Sequence, residues 1–229
     1  MKPAQRVVPH FQEELEQLNS RLLVMAGEAE EQVRTAVRAL VERDHDLAQA
    51  VLKGDNSINA LHIAIDQRCF KLLALHQPMA TDLRVIVSGV KINSDLERVG
   101  DFAVNIAEAA LRYLTHAAVK PLIEIPRMAD IAQGMLRDAL NAYVKHDTAV
   151  AQDVLNRDDA LDGLKSQVFR ELLSCMLNDP GTTEPALDLI LVSRHLERIG
   201  DHATNIAEEV IFIASGRDVR HHAQEADAE

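Results

Sequence analysis

DLERVGDFAVNIAE, residues 95–108, and HLERIGDHATNIAE, residues 195–208, are one phrase written twice, a hundred residues apart. Ten of the fourteen positions are identical, which marks a duplicated unit. Packing alone would keep the apolar periodicity and let polar residues drift. Yet Glu97, Arg98, Gly100, Asp101, Asn105 and Glu108 return as Glu197, Arg198, Gly200, Asp201, Asn205 and Glu208.

The repeat reaches upstream. Asp44, Ala48, Val51, Leu52, Asp55 and Leu61 return as Asp147, Ala151, Val154, Leu155, Asp158 and Leu164, now 103 residues on. Breakers are sparse: Pro78, the pair Pro121 and Pro126, and the turn NDPGTT at 178–183. Between them the apolar spacing is helical. It predicts helices near 10–43, 46–76 and 81–117, then near 124–145, 148–177 and 184–215. Asp44 and Asp147 are the expected N-caps. The expectation is an all-α protein of two tandem three-helix bundles with elongated antiparallel helices. The first repeat covers 1–119 and the second 120–216; residues 217–229 are a polar tail with no apolar stripe, expected to be disordered.

Composition agrees with helix. Aromatics are 3% and Trp is absent, so Leu, Val, Ile and Ala must fill the core. The net charge of −12 argues against nucleic acid and against an anionic membrane surface. It also argues against direct capture of free phosphate, for which the sequence offers no evident basic pocket. No stretch has the length of a signal peptide or a membrane span, so a cytoplasmic protein is expected. Cys69 and Cys175 stand in no metal or redox spacing and read as buried free thiols in a reducing compartment.

On a helix at about 100° per residue, with Glu97 at zero, Asp101 falls near about 40°, Asn105 near about 80° and Glu108 near about 20°. Leu96, Val99, Phe102, Ala103 and Ile106 take the opposite, buried face. The oxygen-bearing stripe can be an ordinary solvated face. Like charges at i,i+4 repel, however, and a cation would convert that repulsion into ligation. Carboxylate and carboxamide oxygens suit hard or borderline cations.

The preceding helix adds Asp55 and Asn59 in repeat one, and Asp158 and Asp162 in repeat two. Residues of an antiparallel hairpin lie level when their numbers average to the turn centre. Asp55/Asn59 and Glu97/Asp101 average to 78, the Pro78 turn; Asp158/Asp162 and Glu197/Asp201 average to 179.5, inside NDPGTT. The candidate metal ligands are therefore Asp55, Asn59, Glu97, Asp101 and Asn105, and Asp158, Asp162, Glu197, Asp201 and Asn205. The expected ion is divalent or trivalent: Fe, Zn, Mn, Mg or Ni. Asn59 in place of a carboxylate makes the first site the weaker.

Gly100 and Gly200 mark close helix approach, ahead of a role in metal access; Arg98 and Arg198 pair with neighbouring carboxylates, and His202 is either an extra ligand or a surface residue. A ferritin-like di-iron centre needs two Glu-x-x-His motifs, and only Glu42-x-x-His45 matches. There is no Gly-rich phosphate loop, no G-x-S-x-G, no H-E-x-x-H and no C-x-x-C. Nothing points to an enzyme.

With LERIGDHATNIAE, QPMATDLR at 77–84 and the paired Asp55/Asn59 and Asp158/Asp162 in view, the chain resembles the PhoU family of bacterial phosphate-uptake regulators. The resemblance covers nearly the whole chain. It implies two tandem three-helix bundles and a cytosolic, non-enzymatic regulator that damps phosphate import and starvation signalling. The implied partners are the phosphate ABC transporter and a membrane-bound sensor histidine kinase. It also implies metal clusters on Asp55, Glu97 and Asp101, and on Asp158, Asp162, Glu197 and Asp201. A homodimer is expected. The alternatives are a cation-storing helical protein and a helical adaptor or chaperone of a membrane complex.

Overall fold

The computed structural model describes residues 9–216, so the expected disordered tail at 217–229 lies outside the described residues. Helices α1 (Pro9–Glu42), α2 (His45–His76) and α3 (Thr81–Leu114) form the first repeat. The second holds α4 (Glu124–Lys145), α5 (Thr148–Asn156), α6 (Asp158–Asn178), a 3₁₀ turn (Pro180–Thr182) and α7 (Thr183–Ser215). The predicted caps form. Asp44 Oδ1 accepts from the amides of Asp46 and Leu47, at 2.8 and 3.1 Å. Asp147 Oδ1 accepts from those of Ala149 and Val150, at 3.0 and 3.1 Å.

The uninterrupted helix expected over 148–177 is a correction: it breaks at Arg157 into α5 and α6. Arg157 carries its guanidinium to α4, where Nη2 donates to Asp138 Oδ2 at 2.6 Å. Its Nε also lies 3.3 Å from Asp153 Oδ2, one turn back. The backbone tightens there, with the Ala160 amide bonded to the Arg157 carbonyl at 3.2 Å. The counterpart in repeat one is Gly54, which has no arm to anchor, and α2 runs straight through it.

The two repeats are joined along α3 and α7, each more than 30 residues long and so about 50 Å. They run antiparallel. Arg84 Nε donates to the Ile213 carbonyl at 3.0 Å, Ser88 Oγ to Glu209 at 2.7 Å and Arg112 Nε to Asp188 at 2.8 Å, so the numbers rise on α3 as they fall on α7. Helices α1 and α2 flank α3, while α4, α5 and α6 flank α7. Leu18, Leu22, Leu40, Ile92, Leu96, Leu136, Leu196 and Ile206 belong to one core that spans both repeats. Each repeat covers the facing side of the other's long helix.

Gly100 and Gly200 set how closely each hairpin closes. A Cβ on Gly100 would meet Ile58 Cδ1 at 2.9 Å and Cγ2 at 3.2 Å. A Cβ on Gly200 would overlap Leu161. These contacts also verify the level predicted from hairpin arithmetic: the acidic pairs flank Ile58/Gly100 in one repeat and Leu161/Gly200 in the other.

Candidate functional site

In repeat two the break at Arg157 makes Asp158 the first residue of α6, with Asp162 one turn on. Across the hairpin, α7 presents Glu197 and Asp201 on the side opposite its buried Leu196, Ile199 and Ala203. Burial raises the Asp158 carboxyl above the ordinary carboxylate range, and the charges of Asp162 and Glu197 add to it. Burial, then Glu197 and Asp158, raise Asp201 in the same way. The four carboxylates thus feel one another across two helices, as the sequence reading expects.

A side chain that reading omits stands among them. Lys165 Nζ donates to Asp162 Oδ1 and to Glu197 Oε1, both at 2.7 Å, and these bonds raise its own pKa. Its number, paired with Glu197, averages close to the NDPGTT turn, so the hairpin rule that levelled the carboxylates would also have found it. Arg198 Nη1 donates to Asp201 Oδ2 at 3.3 Å, and its Nε lies 4.0 Å from Glu197. The charge-neutralising partner is thus an ammonium and a guanidinium from the protein itself.

Repeat one is assembled differently. Asn59 Nδ2 donates to Asp55 Oδ2 at 2.7 Å, so the carboxamide is spent on its own helix neighbour. Arg98 Nη1 donates to Asp101 Oδ2 at 3.0 Å and its Nε lies 3.7 Å from Glu97. Asn105 is half-buried on the same helix. Among the described residues no group of three or more His, Cys, Asp or Glu is placed, as the side chains stand, to hold a metal ion. The donors of repeat two are all carboxylate oxygens and so suit a hard cation in kind. Lys165 would have to withdraw for Asp162 and Glu197 to ligate.

Two sequence expectations need correction here. His202 is not the surface residue that one of its two readings expects. Its Nδ1 lies 2.8 Å from Asp95 Oδ1 on α3, with the side chain 19% exposed. Asn205, placed with the ligands by the wheel, donates to the same Asp95 oxygen at 3.2 Å. Together they tie the repeats at the crossing centre, where Phe102, the counterpart of His202, rests 5.6 Å from both His195 and His202. Burial lowers the His195 pKa, helped by Arg194 and Arg112. Second, Cys69 is buried, with its thiol pushed up to about 12 by burial, whereas Cys175 is only half-buried.

Sequence reasoning also missed the ion pairs of the seam. Glu209, nearly fully buried, accepts from Ser88 and from Lys91 Nζ at 2.7 Å each. Their register is invisible without the antiparallel packing of α3 on α7. Nor did it foresee a cleft between α6 and α7 lined by Lys165, Arg170, Arg194 and Arg198 together with Glu197. Among the described residues, no helix is long and apolar enough to cross a membrane.

Comparison with known proteins follows the duplication. The PhoU domain profile matches twice, over residues 22–110 and 125–210. A phosphate-specific transport system accessory protein PhoU homolog of Caulobacter vibrioides is 42% identical over 217 residues, covering 94% of this chain and 94% of that protein. A homolog from Pseudomonas putida is 42% identical over 212 residues, 92% of this chain and 83% of the relative. The crystal structure of PhoU from Pseudomonas aeruginosa superposes with a TM-score of 0.87 at 39% identity, over 90% of this chain and 100% of that one. PhoU from Streptococcus pneumoniae gives 0.84 at 28% identity, over 91% and 99%. With both repeats matched, their order kept and the fold shared over nine-tenths of its length, this chain belongs to the PhoU family.

Proposed function

We propose that this chain is a negative regulator of phosphate uptake and of phosphate-starvation signalling. It works as a non-enzymatic docking protein in the cytoplasm, as a homodimer, on the phosphate ABC transporter and on a membrane-bound sensor histidine kinase. The observation that carries the reading is family membership over both repeats, among relatives named accessory proteins of phosphate-specific transport. Long helices whose outer faces carry charge clusters suit docking onto other helices. The test is a clean deletion in phosphate-rich medium. Starvation genes should be derepressed and uptake should rise; unchanged expression together with unchanged uptake would sink the proposal.

Metal binding belongs to the same proposal. Asp158, Asp162, Glu197 and Asp201 would hold a divalent or trivalent ion, and Asp55, Asn59, Glu97 and Asp101 a weaker one. A bound cation would supply a positive centre on an otherwise negative face. Lys165 acts as the protein's own occupant of the stronger cluster, so Lys165→Met should strengthen Mn²⁺ binding measured by calorimetry. Glu197→Ala/Asp201→Ala should abolish it. If neither variant changes metal content or affinity, the ligand assignment is wrong.

A further inference from the structure

Between α6 and α7 lies a cleft of about 520 Å³, within the roughly 300–1,000 Å³ typical of small-molecule sites. Lys165, Phe169 and Arg170 reach it from α6; Ile190, Arg194 and Arg198 reach it from α7. Four cationic side chains in one cleft are unexpected on a chain of net charge −12. Lys165 and Arg198 are engaged by Asp162, Glu197 and Asp201. Arg170 and Arg194 are exposed, and among the described residues neither forms an ion pair within 4 Å. Arg170 feels the charge of its neighbour Glu171, and Glu197 also lines the cleft, held by Lys165. The two guanidinium forks, on α6 and α7, still have hydrogen-bond donors to offer an anion, in the planar geometry that phosphate accepts in pairs. Phe169, 49% exposed, and Ile190 supply a flat apolar wall beside them.

The duplication supplies an internal control. Lys165, Phe169, Arg170 and Arg194 correspond to His62, Asp66, Gln67 and Ser94 in repeat one, so both the charge and the ring are peculiar to repeat two. The closing of the hairpin differs too. In repeat one the buried Asn93 sends Nδ2 across to the His62 carbonyl at 3.0 Å and to Asp66 Oδ1 at 2.9 Å, lacing α3 to α2. Its counterpart Ser193 has a shorter arm and returns its hydroxyl to the Ile190 carbonyl of its own helix at 2.8 Å. The lacing is gone, and its place is lined by arginines and an aromatic ring.

We propose that this cleft is a binding site for a nucleoside phosphate, with the base against Phe169 and Ile190 and the phosphates between Arg170 and Arg194. A bare anion would use the arginines but not the ring.

The test is calorimetric titration of the full-length protein with ATP and with inorganic tripolyphosphate, in buffer containing EDTA so that the acidic cluster holds no metal. ATP should bind with a dissociation constant below about 1 mM, and tripolyphosphate about tenfold more weakly. Arg170→Ala and Arg194→Ala should each weaken both ligands by about tenfold. Phe169→Ala should bring ATP down to the tripolyphosphate level and leave tripolyphosphate unchanged. Arg21→Ala, which removes an exposed arginine from α1, should change neither. All of these side chains are exposed, so the variants should fold, which the far-ultraviolet spectrum checks. Absence of saturable ATP binding overturns the proposal. So does ATP binding that survives loss of both arginines, or tripolyphosphate binding as tight as ATP.

Discussion

Replacing Gly100 by Ala sets two effects of known size against each other. Removing a mid-helix glycine should stabilise α3 by about 1 kcal/mol. The added Cβ, however, would stand 2.9 Å from Ile58 Cδ1 and 3.2 Å from its Cγ2, where carbon pairs prefer about 3.5–4.0 Å. Ile58 is 1% exposed, and its β-branched side chain has one favoured χ1 on a helix. Cδ1 can swing aside, but Cγ2 cannot without turning the whole side chain inside a packed core. Overpacking of this kind costs about 1–3 kcal/mol. The net expectation is destabilisation by about 1 kcal/mol, seen as a fall in Tm of about 2–4 °C for a chain of this length.

The sharper reading comes from the double mutant. Ile58→Ala alone should cost about 2–5 kcal/mol through the cavity it leaves. It removes both close atoms and leaves only the Cβ, 3.7 Å from the new methyl, which is ordinary contact. In that background Gly100→Ala should stabilise by about 1 kcal/mol, a coupling of about 2 kcal/mol between neighbours. Urea unfolding of the four proteins measures the cycle. If Gly100→Ala raises stability equally in both backgrounds, close approach is not why the glycine is there, and the level of the acidic pairs loses its structural support.

Asp201→Asn should stabilise the metal-free protein at neutral pH. Its folded carboxyl titrates above the unfolded one, so the charged form destabilises the fold above that raised value and the penalty disappears as pH falls through it. Melting curves of variant and wild type should therefore converge as the solution is acidified; a gap that widens instead would contradict the burial of that carboxylate. Asp147→Ala removes two amide bonds at the start of α5 and should cost about 1 kcal/mol in thermal unfolding, where no change would mean the cap is idle. Iodoacetamide should label half-buried Cys175 well before Cys69, whose thiol is buried and held at about 12; mass spectrometry showing the reverse order would refute the assigned burial.

Much of this molecule is legible in one dimension. Periodicity, Pro78 and the NDPGTT turn place the helices, and the caps at Asp44 and Asp147 were readable because a capping carboxylate acts within three residues. Hairpin arithmetic levelled the carboxylates for the same reason: it needs only a turn centre. The break at Arg157 was not legible, because neither Pro nor Gly marks it and its anchor, Asp138, sits on another helix. The partner of Asn205 and His202 was not legible because a helical wheel shows which side a residue takes but not which neighbour stands there; α3 brings Asp95 to both. Lys165 was missed for another reason. Carboxylates were sought as a set, and the cation already among them was not counted.

The central claim concerns partners, so binding tests it most directly. The purified protein should be titrated against the purified cytosolic parts of the phosphate transporter and of the sensor kinase, each with and without added Mn²⁺. The account predicts saturable binding to at least the transporter component at tens of micromolar or tighter. No binding to either component, in either condition, would contradict it.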